Sequence, residues 1–253
     1  MCATISKTVM PMPIRPVEVQ PIRHRLSVGG LPTVIQKKAR SFSAGSPIVH
    51  EGDAIPAVIC VESGWVGLSK SLDDGETQLV DLILPGEFIF ALCADRFTSA
   101  LQVEAITQSL VAAISEAQWK RLVVGAPELE DLQQALSGAS RARMAERMLR
   151  LGRGSAEVRI AYALLELCIR LRAIRDTTGD VFHIPLTQQQ LGEFTGLSSV
   201  HVCRTLRRLE RNGIVDIEDH MDVRLHSVSR LSEIANVDLE HLREQILPET
   251  DAS

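Results

Sequence analysis

Aromatic side chains are scarce in this chain. Phe, Trp and Tyr together supply 4% of 253 residues, so any core must be built mainly from Leu, Val, Ile and Ala. No apolar run approaches the ~18–20 residues that cross a bilayer as a helix, and no membrane partner is expected. The first 25 residues lack a continuous apolar stretch and are broken by prolines at 11, 13, 16 and 21, which excludes a signal peptide. A cytoplasmic location is expected. Cysteine is thin as well: Cys2, Cys60, Cys93, Cys168 and Cys203 are odd in number, scattered, and never spaced C-x-x-C. Reduced thiols fit that pattern; a disulfide scaffold or a zinc module does not, and no metal site is expected. Also missing are G-x-S-x-G, H-E-x-x-H, a P-loop and G-x-G-x-x-G, so the chain is not expected to be an enzyme.

Apolar residues at 45% and charged residues at 23% describe an ordinary globular protein. The formal net charge is -5, yet total charge says little about a polyanionic ligand. Solution ions screen exposed charges beyond about 8–10 Å, so the local field decides. Between Ser198 and Asn212 stand Arg204, Arg207, Arg208 and Arg211 against a single acid, Glu210.

The texture of the chain changes four times. Residues 1–36 are Pro-rich, basic and non-periodic, and read as a flexible tail with a short helix near its end. Residues 37–125 carry short β-rich runs separated by turn signals. Asp74-Gly75 between two such runs marks a hairpin, because glycine supplies the positive φ of the tight turn. Many short strands at regular spacing indicate a sandwich or barrel, a jelly roll among the options. Residues 126–152 read as one long helix. Its Leu129, Leu132, Leu136, Met144, Met148 and Leu151 fall at spacings of three and four or their sums, with Ser140 filling one step. A second copy of the same helix is the natural cover for that stripe, giving a homodimer. A second helix follows from Ser155, and residues 236–253 read as a C-terminal helix and tail.

Residues 153–235 hold the most informative stretch, LTQQQLGEFTGLSSVHVCRTLRRLERNGIV from Leu186 to Val215. Thr187 and Gln190 have the spacing of a capping box, so a helix begins at Gln188. Gly196 permits a tight turn, and Ser198 can cap a second helix. In that helix Val202, Leu206 and Leu209 share one face. Ser199, Val200, Cys203, Arg204, Arg207 and Arg211 lie opposite. Two short helices, a glycine turn and an Arg-rich outer face make a helix-turn-helix. Residues 214–227 alternate and turn like a β-hairpin wing. Such a helix fits the major groove of B-DNA. The expected contacts to double-stranded DNA are Thr187, Gln188, Ser198, Ser199, Val200, His201, Arg204 and Arg207. Cys203 beside Arg204 is a candidate redox site, since a sulfinate there would repel phosphates.

With these residues in place, the chain resembles the Crp/Fnr family of bacterial transcription regulators over residues 35–235. The resemblance rests on the stretch above and on EGD (51–53), SGWV (63–66), DDGE (73–76) and PGEFI (85–89), which match the glycine turns of the family's cyclic-nucleotide-binding-like β-roll. It implies an α+β protein: an N-terminal jelly-roll β-domain, a long dimerisation helix and a C-terminal winged helix-turn-helix. It further implies a homodimer on a palindromic DNA site that recruits or blocks RNA polymerase. The rival reading is a β-roll module that binds a ligand and acts through protein partners.

Three departures stand out. An effector pocket would involve Gly86, Glu87, Phe88, Ala91, Ser99 and Ala100. However, Ser99 and Ala100 stand where cyclic-AMP-binding members carry Arg and Ser, and Ala91 replaces their ribose-binding Glu. A buried phosphate would lack its bidentate partner. The tail offers only Cys2 toward the clustered thiolates that an iron–sulfur centre needs. No cofactor is expected, with haem on His24 or His50 as the minor alternative. On the second helix, Val200 replaces a family Glu that accepts from cytosine N4. Valine cannot accept a hydrogen bond but can touch a thymine methyl, while the retained Arg204 suits guanine O6 and N7.

Overall fold

The computed structural model describes residues 30–54, 58–90, 98–175, 181–218 and 222–248. Helix α1 (Leu31–Lys38) leads into eight strands: β1 (Ala39–Phe42), β2 (Pro47–Val49), β3 (Val58–Ser63), β4 (Val66–Ser71), β5 (Thr77–Ile83), β6 (Phe88–Phe90), β7 (Gln102–Ala105) and β8 (Ser109–Ile114). They form two four-stranded antiparallel sheets, ordered β1-β8-β3-β6 and β2-β7-β4-β5. Val49, Ile59, Val61, Val66, Val103 and Val111 fill the space between them, the β-branched, aromatic-poor core that the composition demands. The expected hairpin joins β4 to β5, with Gly75 at φ 89°.

Helix α1 lies where a short helix is expected near the end of the N-terminal tail, and its Leu31 and Ile35 are buried against Cys60, Ala112, Trp119 and Leu129. Residues 1–29 lie outside the described set.

Helices α2 (Glu116–Gly125), α3 (Glu128–Arg153) and α4 (Ala156–Arg175) follow. Then come β9 (Val181–His183), α5 (Gln188–Thr195), α6 (Ser199–Arg211), β10 (Val215–Glu218), β11 (Asp222–Leu225), α7 (Val228–Ala235) and α8 (Leu239–Ile246). The last three strands form a small antiparallel sheet ordered β10-β11-β9. One large apolar cluster unites the two halves of the chain: Trp65, Leu79, Leu82 and Leu84 of the roll pack with α4, Phe194, Leu206 and the wing strands.

The long helix departs from the uniform stripe expected of it. Leu129 and Leu132 are buried within their own chain, and Leu136 packs on the same cluster. Leu151 lies against Gly196 of the helix-turn-helix. Only Met144 and Met148 remain for a partner, with Met148 71% and its neighbour Leu149 55% exposed. The reason is length: a helix of 26 residues passes first the roll and then the C-terminal half, and each claims part of the stripe.

Between those two contacts, α3 turns arginines inward. Arg147 reaches Asp81 at 2.9 Å and Glu166 at 2.8 Å, and Arg143 reaches Asp81 at 3.4 Å. Arg170 of α4 pairs with Glu87 at 2.5 Å and Glu166 at 3.1 Å. All six side chains are buried, three cations against three carboxylates. Arg147 also stacks over Phe194, 4.8 Å from the ring centre.

Burial alone would push the Asp81 carboxyl up, but the guanidinium groups of Arg147, Arg143 and Arg170 outweigh it and hold it well below the carboxylate range. A folded value below the unfolded one means this stability is fully present above about pH 4 and is lost as pH falls through the folded value. Acid unfolding monitored by circular dichroism should therefore include a loss of stability below about pH 4 that Asp81 contributes. Asp81→Asn should flatten that slope.

Burial, aided by the charge of Glu62, pushes the Cys60 thiol up to about 12, and burial pushes Cys168 to about 12. The thiolate is the reactive species. Iodoacetamide at about pH 8 is therefore expected to leave both residues unmodified in the folded chain and to label them in urea. Peptide mapping reads the outcome.

Candidate nucleic-acid interface

Helices α5 and α6 meet through the features their sequence carries. Thr187 caps α5, accepting from the Gln190 amide at 3.1 Å, while Gln190 Oε1 accepts from the Thr187 amide at 2.9 Å. Gly196 ends the helix in the left-handed region at φ 65°, where a Cβ would be strained. Gly192 is a second requirement that sequence reading passed over, because a Cβ there would collide with the Leu197 carbonyl. Nothing in a single sequence distinguishes that glycine from an ordinary helix interior.

Ser198 caps α6, its hydroxyl 3.4 Å from the His201 amide and 2.8 Å from His201 Nδ1. Val202, Thr205, Leu206 and Leu209 are buried. That leaves Ser199, Val200, His201, Arg204 and Arg207 exposed together on the outer face, Val200 at 56%. An exposed valine among polar neighbours fits the thymine-methyl reading.

A groove along this face is lined by Arg204, Thr205, Arg207, Arg208, Glu210 and Arg211. Its charges are not equivalent. Arg208 is tied to Glu157 of α4 at 3.3 Å. Glu210 accepts from the Ile217 amide at 3.2 Å and so ties β10 to α6. Arg204 and Arg207 form no ion pair among the described residues, which leaves both guanidinium groups available to a polyanion. Cys203 is a free, half-buried thiol on the same helix.

Thr187 and Gln188 are exposed, and α5 begins beside the roll. A cleft of about 340 Å³ separates Thr187, Gln189, Gln190 and Glu193 from Ser69, Ser71, Thr77 and Glu104. Gln78 Nε2 donates to the Glu193 carbonyl across it. Arg159 of α4 donates to the Gly196 carbonyl at 3.2 Å, fixing the turn from below.

Of the residues of the possible effector pocket, Glu87 is held by the protein itself: both its oxygens bond Arg170, and Oε2 also accepts from the Leu84 amide at 2.9 Å. The Gly86 amide donates to the Val61 carbonyl, and Phe88 joins the apolar cluster outside the roll. Ser99 donates its hydroxyl to the Leu101 carbonyl, and the Ala100 carbonyl accepts from Lys70 at 3.0 Å. Ala91 lies outside the described residues. The described cation beside these groups is Lys70, which is paired with Glu51, and Arg96 lies outside the described residues. His50 is an exposed side chain whose amide donates to Asp53, and His24 lies outside the described set. Among the described residues no cluster of three His, Cys, Asp or Glu side chains could hold a metal, and no helix is long and apolar enough to cross a membrane.

Comparison with known proteins agrees with this geometry. Residues 158–234 match the Crp-like helix-turn-helix domain, and residues 39–124 match the cyclic nucleotide-binding domain. The transcriptional activator FnrL of Cereibacter sphaeroides is 31% identical over 229 residues, covering 86% of this chain and 91% of that protein. The nitrogen fixation regulation protein FixK of Bradyrhizobium diazoefficiens is 30% identical over 176 residues, 70% of this chain and 73% of its own. Among solved structures, FixK2 from Bradyrhizobium japonicum superposes with a TM-score of 0.71 at 24% identity, covering 79% of this chain and 98% of that one.

Proposed function

Since the chain belongs to the Crp/Fnr family, whose members are transcription regulators and not enzymes, we propose that it binds a palindromic promoter site as a homodimer and recruits or blocks RNA polymerase there, without a cyclic nucleotide. The observation that carries this reading is the joint exposure of Ser199, Val200, His201 and Arg204 on the outer face of α6. A module acting only through proteins has no use for a capped, arginine-bearing helix with an open outer face.

The seam of the dimer falls beside the stripe expected from sequence. Gly138, Arg141, Ala145, Met148 and Gly152 follow one another along α3 at spacings of three and four, and nothing lies within 4 Å of a Cβ built at either glycine. Small residues seven apart let a second α3 approach closely, and Met148 with Leu149 supplies the apolar contact. Two recognition helices then enter major grooves about 34 Å apart. In the double variant Ala145→Glu/Met148→Asp, sedimentation is expected to report monomers, and DNA affinity should fall with the loss of the second half-site. A variant that stays dimeric would move the seam elsewhere.

The test of the function is selection from random duplexes by the purified chain, followed by band shifts across a salt series. Specific binding that weakens steeply with salt is expected. The half-site should differ from that of the Glu-bearing members, because Val200 reads a methyl group where they read cytosine N4. Failure to enrich any sequence would overturn the reading.

A further inference from the structure

We propose that Arg170 is the positioning residue that fixes the DNA-binding half in its DNA-competent orientation, acting through Glu87 of the P-G-E turn. The inference rests on duplex DNA being the ligand of α6. Arg170 stands on α4, the first helix of the DNA-binding half, yet its guanidinium is spent mostly on the roll. Nε lies 3.2 Å from Glu87 Oε1 and Nη2 lies 2.5 Å from Glu87 Oε2. Nη2 also donates to the Leu82 carbonyl. Nη1 reaches Glu166 at 3.1 Å, with Asp81 at 3.8 Å. The residue is 1% exposed.

This is a fork holding a fork. The planar guanidinium meets the carboxylate at two points, which fixes direction as well as distance. Lysine presents one rotating ammonium and cannot do both. The anchored turn is itself rigid, because Glu87 Oε2 also accepts from Leu84. What Arg170 grips therefore belongs to the frame of the roll.

The grip is transmitted to the recognition helix. Arg147 joins Asp81 of the roll to Glu166 one turn before Arg170, and it stacks on Phe194 of α5. Arg143 reaches the Ile246 carbonyl of α8 at 3.3 Å. Roll, long helix and DNA-binding half thus meet on one charge-balanced, buried cluster, where a shift of one half against the other that kept the seam closed would leave buried charge without its partner. The orientation it fixes leaves the whole outer face of α6 open. The cluster therefore does not mask α6; it presents it.

Two measurements on the full chain test this. The first places spin labels at Leu72 and Val181, both exposed and in opposite halves, through bio-orthogonal side chains, in labelled chains diluted into unlabelled protein. The distance is read with and without the selected duplex. It should stay constant, whereas a shift beyond about 5 Å, the scale of a one-turn rearrangement, would show that the orientation described is not the DNA-bound one. The second is a cycle of Glu87→Gln, Arg170→Lys and the double variant, read as duplex affinity. Each single is expected to lose about tenfold and to broaden the distance distribution of the free protein. The double should lose no more than the worse single, because both act through one contact. Singles that melt earlier yet bind within about twofold of wild type, or losses that add, would reduce the cluster to a structural role. Should a variant fail to fold, the wild-type distance decides alone. A wild type that enriches no duplex fails the functional reading and this inference with it; binding accompanied by a large distance change fails only the inference.

Discussion

Replacing Arg204 with alanine is expected to abolish discrimination at one base pair of each half-site while leaving the fold intact. The side chain is exposed and forms no ion pair among the described residues, so its loss leaves no described charge unpaired. A bidentate arginine–guanine contact carries about 1–3 kcal/mol of discrimination. In a dimer the loss counts twice, about 2–6 kcal/mol on the full palindrome. Arg207→Ala should behave differently. As a phosphate contact it lowers affinity for every sequence alike and reduces the salt slope by about one unit per contact. Band shifts on the selected duplex, a single-base variant and a random duplex separate the two. An Arg204→Ala chain that kept its sequence preference would remove α6 from the reading.

The second large effect is on stability. Asp81 is fully buried and faces Arg143, Arg147 and Arg170. Asp81→Ala leaves three guanidinium groups with two carboxylates, Glu87 and Glu166. Removing one partner of a buried ion pair costs about 3–5 kcal/mol, because the remaining charge stays in the interior uncompensated. In a chain of this size that lowers the melting temperature by roughly 6–20 °C. The cost belongs to imbalance and not to the loss of charge as such. Asp81→Leu combined with Arg147→Met removes one charge of each sign and replaces both with apolar bulk, so calorimetry should find it milder than Asp81→Ala. If the double change proves as damaging as the single one, the cluster is held by shape and not by charge.

The helix-turn-helix was legible because its signals are local. The Thr187–Gln190 box, the Ser198 cap and the Gly196 turn act within a few residues of themselves, and each is present as expected. The turn at Asp74-Gly75 was legible for the same reason. The buried cluster was not, because charges distant in sequence read as surface until the fold brings them together. Two hints existed. Asp81 interrupts the apolar run LVDLIL, and Glu166 with Arg170 sits one turn apart in the otherwise apolar stretch IAYALLELCIRL (160–171). The dimer stripe misled for a related reason. Periodicity on α3 shows which positions are apolar but not which neighbour covers them, and α1, the roll and Gly196 each took a share. The pairing of Glu87 was hidden for the same reason: its carboxylate was visible while its partner, 83 residues away, was not.

The scarcity of aromatics has a practical side. The protein has two tryptophans. Trp65 lies in the apolar cluster common to the roll and α4, and Trp119 lies among α1, α2 and α3 on a different cluster. Separation of the two halves would wet one indole and leave the other dry. Ultraviolet emission of the untouched chain, resolved with Trp119→Phe, therefore offers a dye-free gauge of how the halves sit in solution.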